Sequence, residues 1–191
     1  AALRTGDYVT GTVRTPKQGE KYYSLVRVDL VNGMSPDEAQ KRPYFENLTA
    51  VFPNEQFYLE IDDPTELSGR LIDLVAPMGR GQRGLIVSPP KAGKTTLLQN
   101  IALAANKNHP NLDVFALLID ERPEEVTDFR RNVPCHVFAS SNDHDVERHV
   151  GLAMLAIERA KRMAESGRDV MNVAMPFRLK FHFNSKNHKS M

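Results

Sequence analysis

The residues best suited to chemistry form the loop Ser88-Pro89-Pro90-Lys91-Ala92-Gly93-Lys94-Thr95, between a predicted strand and a predicted helix. A loop in that position points successive backbone N–H groups at one spot, and the dipole of the following helix adds positive potential. Gly93 lets the backbone approach a phosphate closely, Lys94 reaches the β- and γ-phosphates, and Thr95 ligates magnesium through its hydroxyl. The spacing predicts a polyphosphate site, although Ser88 stands where the usual pattern has its first glycine.

A glycine-rich segment, Gly79-Arg80-Gly81-Gln82-Arg83-Gly84, leads directly into the strand before that loop. Taken alone, the segment is typical of a turn that carries two solvated arginines. Because it lies beside a phosphate loop, we also interpret it as part of a nucleotide pocket.

A second charged group, Asp120-Glu121-Arg122, follows an apolar strand. Ligands of open parallel sheets bind at the carboxyl ends of strands, so these residues should face the same crevice as Lys94. A carboxylate there can orient and deprotonate the water that attacks the γ-phosphate, and Arg122 can offset phosphate charge. The alternative is that Asp120 caps the next helix. We favour Glu121 as the catalytic residue and Asp120 as the cap.

Elements that would position these residues alternate between strands and helices. Apolar runs predict strands at 85–87, 114–119 and 137–139, and the spacing predicts helices over 95–106, from Pro123, and over 145–166. The last helix has one apolar stripe, ends at Gly167 and is followed by a further apolar segment; the stripe is Val146, Val150, Ala153, Met154, Ile157 and Ala160. The β-α-β-α-β order predicts a parallel sheet with right-handed crossovers.

The amino-terminal part has a different pattern. Residues 8–13 and 22–28 are rich in strand-forming residues and flank a turn, which predicts an antiparallel hairpin. Two or three strands are too few to close a barrel, so we expect further strands upstream of Ala1. The missing initiator methionine likewise predicts that the chain is a fragment.

Composition excludes several classes of protein. With 41% hydrophobic and 26% charged residues, the 191-residue chain can bury a core and is neither fibrous nor disordered. No apolar run approaches the roughly 18 residues that span a bilayer, so no membrane partner is expected. The single cysteine, Cys135, fits a reducing compartment. A net charge of +1 indicates nothing about nucleic acid.

Several stretches together resemble the Rho family of bacterial transcription termination factors. They are residues 3–7, 19–23, 45–49, 77–87, 89–95 and 118–126. The resemblance covers residues 3 to about 170, and the loop Pro89-Pro90-Lys91-Ala92-Gly93-Lys94-Thr95 is highly specific. The missing first glycine is itself a trait of this family.

The resemblance implies an α/β fold, namely a RecA-type P-loop NTPase core with an incomplete parallel sheet, preceded by part of an OB-fold β-barrel. It also implies an RNA-dependent ATPase and helicase that uses ATP and Mg²⁺ and assembles as a homo-hexameric ring. Such a protein binds nascent single-stranded RNA and releases it from RNA polymerase in the cytoplasm.

Individual site residues follow from the same resemblance. Glu121 matches the water-activating glutamate and acts with Lys94, while Glu20 and Tyr22 match positions that contact RNA, Tyr22 as a stacking platform. Without the resemblance, Tyr22 would be interpreted as a half-buried strand tyrosine. The positions that contact nucleotide are Gly79, Arg80, Gly81, Gln82, Arg83, Gly84, Lys91, Ala92, Gly93, Lys94, Thr95, Thr96 and Arg122, with Thr95 also ligating Mg²⁺.

The resemblance divides the chain into a partial OB-fold domain (1–35), a linker (36–70), the first part of the ATP-binding domain (71–170) and an aberrant or unstructured tail (171–191). The family places a magnesium-ordering aspartate after the strand that follows Asp169, but residues 170–191 contain no acid. We therefore expect negligible ATP hydrolysis by this chain alone. The alternatives are a catalytically inert ATP- and RNA-binding module and, third, a rotary-ATPase-type subunit.

Overall fold

The computed structural model describes residues 3–50, 52–89 and 91–175. Its amino-terminal part is an antiparallel hairpin of β1 (Val9–Arg14) and β2 (Ser24–Val31). The two strands approach so closely at Gly11 that a Cβ there would lie 2.0 Å from the carbonyl oxygen of Arg27. The predicted hairpin is confirmed.

The rest of the chain alternates between helices and strands. In order, the elements are α1 (Pro36–Lys41), a 3₁₀ turn (Phe45–Asn47), β3 (Gln56–Phe57), α2 (Ser68–Val75), β4 (Met78–Gly79), α3 (Lys94–Asn108), β5 (Asp113–Glu121), α4 (Pro123–Asn132), β6 (His136–Ser141), α5 (Val146–Glu165) and β7 (Val170–Met175). The predicted helices and the strands at 114–119 and 137–139 are therefore confirmed, with slightly different ends.

A parallel sheet in the order β6-β5-β7 forms the centre of the fold. Alternate residues of β5 face opposite sides, as the pleat of a strand requires. Val114, Ala116 and Leu118 pack in the larger core with α3 and α4, whereas Leu117 and Ile119 pack against α5. The middle strand is buried on both faces, which explains its uninterrupted apolar sequence.

The strand predicted at 85–87 is not formed. Leu85 and Val87 are 82% and 83% exposed, and only Ile86 packs against the core. Leu85, Ile86 and residues of β7 line the same cavity of about 590 Å³, and residues 85–87 pair with none of the described strands. The alternation expected of a strand is present, but the backbone hydrogen bonds are missing.

Two of the predicted segment boundaries differ from the structure. Residues 36–70, predicted as a linker, contain α1 and β3 and contribute Phe57 and Leu59 to the core, because β3 pairs with β4 and packs on α3. The predicted tail begins at 171, yet residues 171–175 belong to β7 and pair with β5. The remainder of that tail lies outside the described residues.

Helix α5 begins after Asp145, which accepts a hydrogen bond from the N–H of Arg148, and the chain leaves it through Gly167 at φ +73°. Of its apolar stripe, Ala153 packs against the sheet, but most of the larger side chains do not. Val146, Val150, Met154 and Ile157 are between 47% and 61% exposed, while Ala156 and Met163 are buried. The spacing therefore predicted the helix correctly but not which face is covered.

Candidate functional site

Two residues of the phosphate loop have backbone conformations that are typical of anion-binding turns. Lys91 and Gly93 both have left-handed backbones, at φ +63° and +78°, on either side of Ala92. Gly93 is the N-cap of α3, and a Cβ placed there would meet nothing within 4 Å. The hydroxyl of Ser88 is buried and makes no hydrogen bond within the described part of the chain. These features leave room and donors for a phosphate group.

Lys94 and Thr95 occupy the first turn of α3 and are half-buried, whereas Ala92 and Thr96 are exposed. Within the described residues, Lys94 makes no ion pair, so its ammonium group is not neutralised by a neighbouring carboxylate. The Thr95 hydroxyl donates to Oε2 of Glu125 at 3.4 Å. Both side chains sit where the helix dipole is positive.

Glu121 is the last residue of β5, at the carboxyl edge of the sheet. The ladder between β5 and β6 is irregular between Ile119 and Glu121, because Asp120 has a left-handed backbone at φ +58°. This irregularity re-aims the end of the strand. Glu121 therefore lies at the end of the sheet from which the prediction expected it to act.

The interpretation of Asp120 as a helix cap is wrong. The N-cap of α4 is Arg122, whose side chain makes no capping hydrogen bond, and Pro123 occupies the first turn. Asp120 is two residues too early to cap and has a strained left-handed backbone instead. Arg122 is exposed beside Glu121 and makes no ion pair within the described residues.

The electrostatics of Glu121 set it apart from other carboxylates. Burial, then a hydrogen bond with Glu125 and repulsion from its charge, raises the pKa of Glu121 to about 7, although the Lys94 ammonium and the Arg122 N–H oppose this. Lys94 is thus close enough to Glu121 to act on its charge. Glu125, in the first turn of α4, was not among the predicted site residues.

The glycine-rich segment lines the cavity beside β7. Lys94 borders the same cavity, as do these members of the segment: Gly79, Arg80, Gly81, Gln82 and Gly84. Arg83 does not. Arg80 binds Asp169 at 2.8 Å and Glu55 at 3.1 Å, and Asp169 precedes β7. Arg80 is therefore held at the amino-terminal end of β7, whereas Glu121 lies at the carboxyl edge of the sheet. The structure does not bring Arg80 to the side of Glu121, and its nucleotide contact stays a prediction.

The two predicted RNA-contacting residues lie in the loop of the hairpin. Arg14 donates two hydrogen bonds to the carboxylate of Glu20, at 2.7 and 2.9 Å, and Lys17 donates a third through its N–H. Tyr22 precedes β2 and is 73% exposed, so the alternative of a half-buried strand tyrosine is wrong. The neighbouring Tyr23 is also exposed. The tip of the hairpin thus presents aromatic rings to solvent.

Magnesium fits this site only with help from the nucleotide. Thr95 offers one hydroxyl, and no group of three or more histidines, cysteines or acids in the described ranges could hold a metal ion. Oxygen ligands are what Mg²⁺ prefers, and it usually combines one or two protein ligands with phosphates and water. The donor set therefore suits a nucleotide-bound Mg²⁺ rather than a separate metal site.

None of the helices in the described ranges is both long and apolar enough to cross a bilayer.

Two segments of the chain match known protein families. Residues 1–37 match the family described as Rho termination factor, RNA-binding domain, and residues 69–175 match the nucleotide-binding domain of the ATP synthase alpha/beta family. The second match confirms the predicted α/β nucleotide-binding core. The first is consistent with the OB-fold part.

Individual relatives are similar over nearly the whole chain. It is 51% identical to the transcription termination factor Rho of Cereibacter sphaeroides over 172 residues, which is 89% of this chain and 41% of that protein. It is 53% identical to the same factor of Aquifex aeolicus over 173 residues, or 88% of this chain and 39% of the relative. The chain therefore spans about two fifths of the length of these relatives and belongs to the family of the transcription termination factor Rho.

Proposed function

We propose that this chain is the RNA-capturing and ATP-binding part of an RNA-dependent ATPase and helicase that releases transcripts. The observation that carries the proposal is the meeting of an open phosphate loop, the unpaired Lys94 and the carboxylate of Glu121 at one edge of the sheet. The similar proteins are named as transcription termination factors. The RNA-binding family at residues 1–37 favours this reading over a rotary-ATPase-type subunit.

In this proposal each residue has a defined role. The backbone of Lys91–Thr96 and the Lys94 ammonium bind the β- and γ-phosphates of ATP. Glu121 orients the attacking water and accepts its proton, and Arg122 offsets charge on the phosphates. The Thr95 hydroxyl would hold Mg²⁺, which supplies neutralisation of phosphate charge when it is bound.

The hairpin supplies the proposed contact with single-stranded RNA. The exposed ring of Tyr22 offers a surface on which a base can stack, and Glu20 lies beside it, fixed by Arg14. We extend to this chain the partners implied by the family: RNA polymerase and identical subunits in a homo-hexamer, in the cytoplasm. Negligible turnover by this chain alone remains our prediction, which the inert-module alternative shares.

Nucleotide binding is tested by thermal unfolding with Mg-ATP. A ligand at about 100 times its Kd stabilises by about 2.7 kcal/mol, which raises the Tm of a chain of this size by about 5–10 °C. Lys94→Ala should abolish this rise. Lys107→Ala, at the exposed end of the same helix, should keep it. An equal rise in the Lys94 variant would remove the phosphate-loop assignment.

RNA binding is tested by fluorescence anisotropy with a labelled pyrimidine-rich RNA. Stacking of one base on an aromatic ring contributes about 1–3 kcal/mol, so Tyr22→Ala should weaken binding about fivefold or more. Tyr58→Ala removes a similarly exposed ring outside the hairpin and should have no effect. Equal losses in both variants would contradict the hairpin site. Phosphate release stimulated by this RNA would exclude the inert module.

A further inference from the structure

A group of charged side chains lies buried on the side of the molecule away from the phosphate loop. We call it the ionic cluster; its members are Arg4, Asp7, Arg42, Arg162 and Glu165. The side chain of Glu165 is 0% exposed, and those of Asp7 and Arg42 are each 2% exposed. Charges are rarely buried so completely unless they are paired. The phosphate site does not use any of them.

Glu165, at the end of α5, is the centre of the cluster. Its Oε2 pairs with Nη1 of Arg4 at 2.9 Å and with Nε of Arg42 at 3.4 Å. Its Oε1 pairs with Nη2 of Arg162 at 3.2 Å and accepts a hydrogen bond from the N–H of Phe45 at 2.9 Å. One carboxylate thus joins the start of the chain, the segment after α1, and helix α5.

Asp7 extends these contacts to the base of the hairpin. It accepts from Nη2 of Arg42 at 2.6 Å and from Nδ2 of Asn32 at 2.8 Å. Asn32 follows β2, and its Oδ1 accepts from the N–H of Tyr8, just before β1, and from Arg159 of α5. Both strands of the hairpin are therefore bonded at their base to the same helix.

Close packing supports this junction. Gly6 has a left-handed backbone at φ +89°, and a Cβ there would lie 2.5 Å from the backbone carbon of Glu158 in α5. The chain entering β1 therefore lies directly on the helix, and the junction consists of backbone contact as well as charge.

We infer that the ionic cluster couples the hairpin to the ATP-binding core, so that the two parts unfold together and stabilisation of one is felt by the other. Separating the hairpin from α5 would break these buried ion pairs and hydrogen bonds together with the backbone contact at Gly6, so the contacts of the junction are lost at once. The two parts can then come apart only when the whole chain unfolds. The RNA arm of the test below rests on the proposed function, whereas the coupling itself does not.

The sequence provides separate probes for the two parts. Three of the five tyrosines, Tyr8, Tyr22 and Tyr23, lie beside or between the strands of the hairpin, and the chain has no tryptophan, so tyrosine emission reports mainly on the hairpin. Circular dichroism at 222 nm reports mainly on α3, α4 and α5, the longest helices. We expect the two thermal transitions of the wild-type chain to coincide. Two separate wild-type transitions would overturn the inference.

Glu165→Gln keeps the size of the side chain but removes its charge. We expect the tyrosine transition to fall by about 10 °C and to precede the helical transition. Arg4→Gln removes only one partner of Glu165 and serves if the first variant does not fold; its tyrosine transition should also precede the helical one. The matched control is Glu46→Gln, which removes a 64% exposed partner of Lys161 and should leave the transitions coincident. Transitions that stay coincident in every variant would contradict the coupling.

A pyrimidine-rich RNA completes the test. In the wild-type chain the RNA should raise the midpoint temperatures of both transitions equally. In Glu165→Gln it should raise only that of the tyrosine transition. A rise of both transitions in the variant would overturn the inference. If RNA moves neither transition in either protein, the proposed RNA site fails, while the transitions without RNA still decide whether the cluster couples the two parts.

Discussion

Glu121 and Glu165 lie on opposite sides of the same core and show two uses of a carboxylate. Glu121 is next to another acid, Glu125, and only Lys94 opposes the rise of its pKa to about 7 with a full positive charge. Glu165 is surrounded by Arg4, Arg42 and Arg162. The first arrangement leaves a group that can exchange a proton near neutral pH, and the second holds a carboxyl group among three arginines. The carboxyl group with the raised pKa and the one held in ion pairs are thus in separate sites.

The pH dependence of stability should have opposite signs at the two sites. Burial would raise the pKa of Asp7 in the ionic cluster, but hydrogen bonds from Arg42, Arg4 and Asn32 outweigh it and lower the pKa below 3.8. Its contribution is present above that pH and is lost as pH falls through the lowered value. The proton on Glu121 stabilises the folded state below pH 4.5, and that contribution is lost as pH rises towards about 7.

The largest effect should come from removing a charge in the ionic cluster. Asp7→Asn removes the closer of the two carboxylates that pair with the buried Arg42, which should lower the free energy of unfolding at pH 7 by about 3 kcal/mol. Urea denaturation measures this. Asp29→Asn, which breaks an exposed pair with Arg27, should change it by less than about 1 kcal/mol. Equal losses would remove the distinction between the buried cluster and an ordinary surface pair.

A smaller change of opposite sign in the free energy of unfolding is expected when Glu121 is replaced. Glu121→Gln cannot lose a proton, so the stability of the variant relative to wild type should rise between pH 4.5 and 8. The gain should be about 1 kcal/mol, because solvent reaches much of the side chain and screens its charge. Urea denaturation across this pH range tests it. A variant that loses stability relative to wild type as pH rises would contradict the raised pKa.

The smallest expected effect is a change in the pKa of Glu121 when its neighbour Glu125 is replaced. Glu125→Gln removes the repulsive charge but keeps a hydrogen-bonding group, so the pKa of Glu121 should fall from about 7 while burial keeps it above 4.5. Carboxyl-carbon NMR measures this pKa. Glu124→Gln, an exposed neighbour in the same turn, is the control. An unchanged titration of Glu121 in the Glu125 variant would leave burial as the sole cause.

Local sequence patterns predicted most of the elements around the phosphate loop. Pro123 at the start of α4, the apolar run of β5 and the residues around Gly93 all act over a few neighbouring positions. These features depend on backbone geometry and pleat, which are encoded locally. Lys94 and Glu121 could accordingly be assigned to one edge of the sheet from the order of the elements.

Long-range contacts explain what the sequence did not predict. The ionic cluster joins Arg4 to Glu165 across 161 positions, and no periodic pattern encodes such a pair. The segment 85–87 has strand-like residues, but pairing needs a partner strand at hydrogen-bonding distance, and none of the described strands pairs with it. In α5 the apolar stripe predicted a helix but could not indicate which of its faces the sheet covers.

The central claim is that the phosphate loop and Glu121 form one nucleotide site. Backbone amide NMR during titration with Mg-ADP tests it most directly. We predict that the largest shifts occur at Ala92–Thr96, with a second group at Glu121 and Arg122, and that the amides around Glu165 hardly move. Shifts confined to other parts of the chain, or none at saturating nucleotide, would contradict the account.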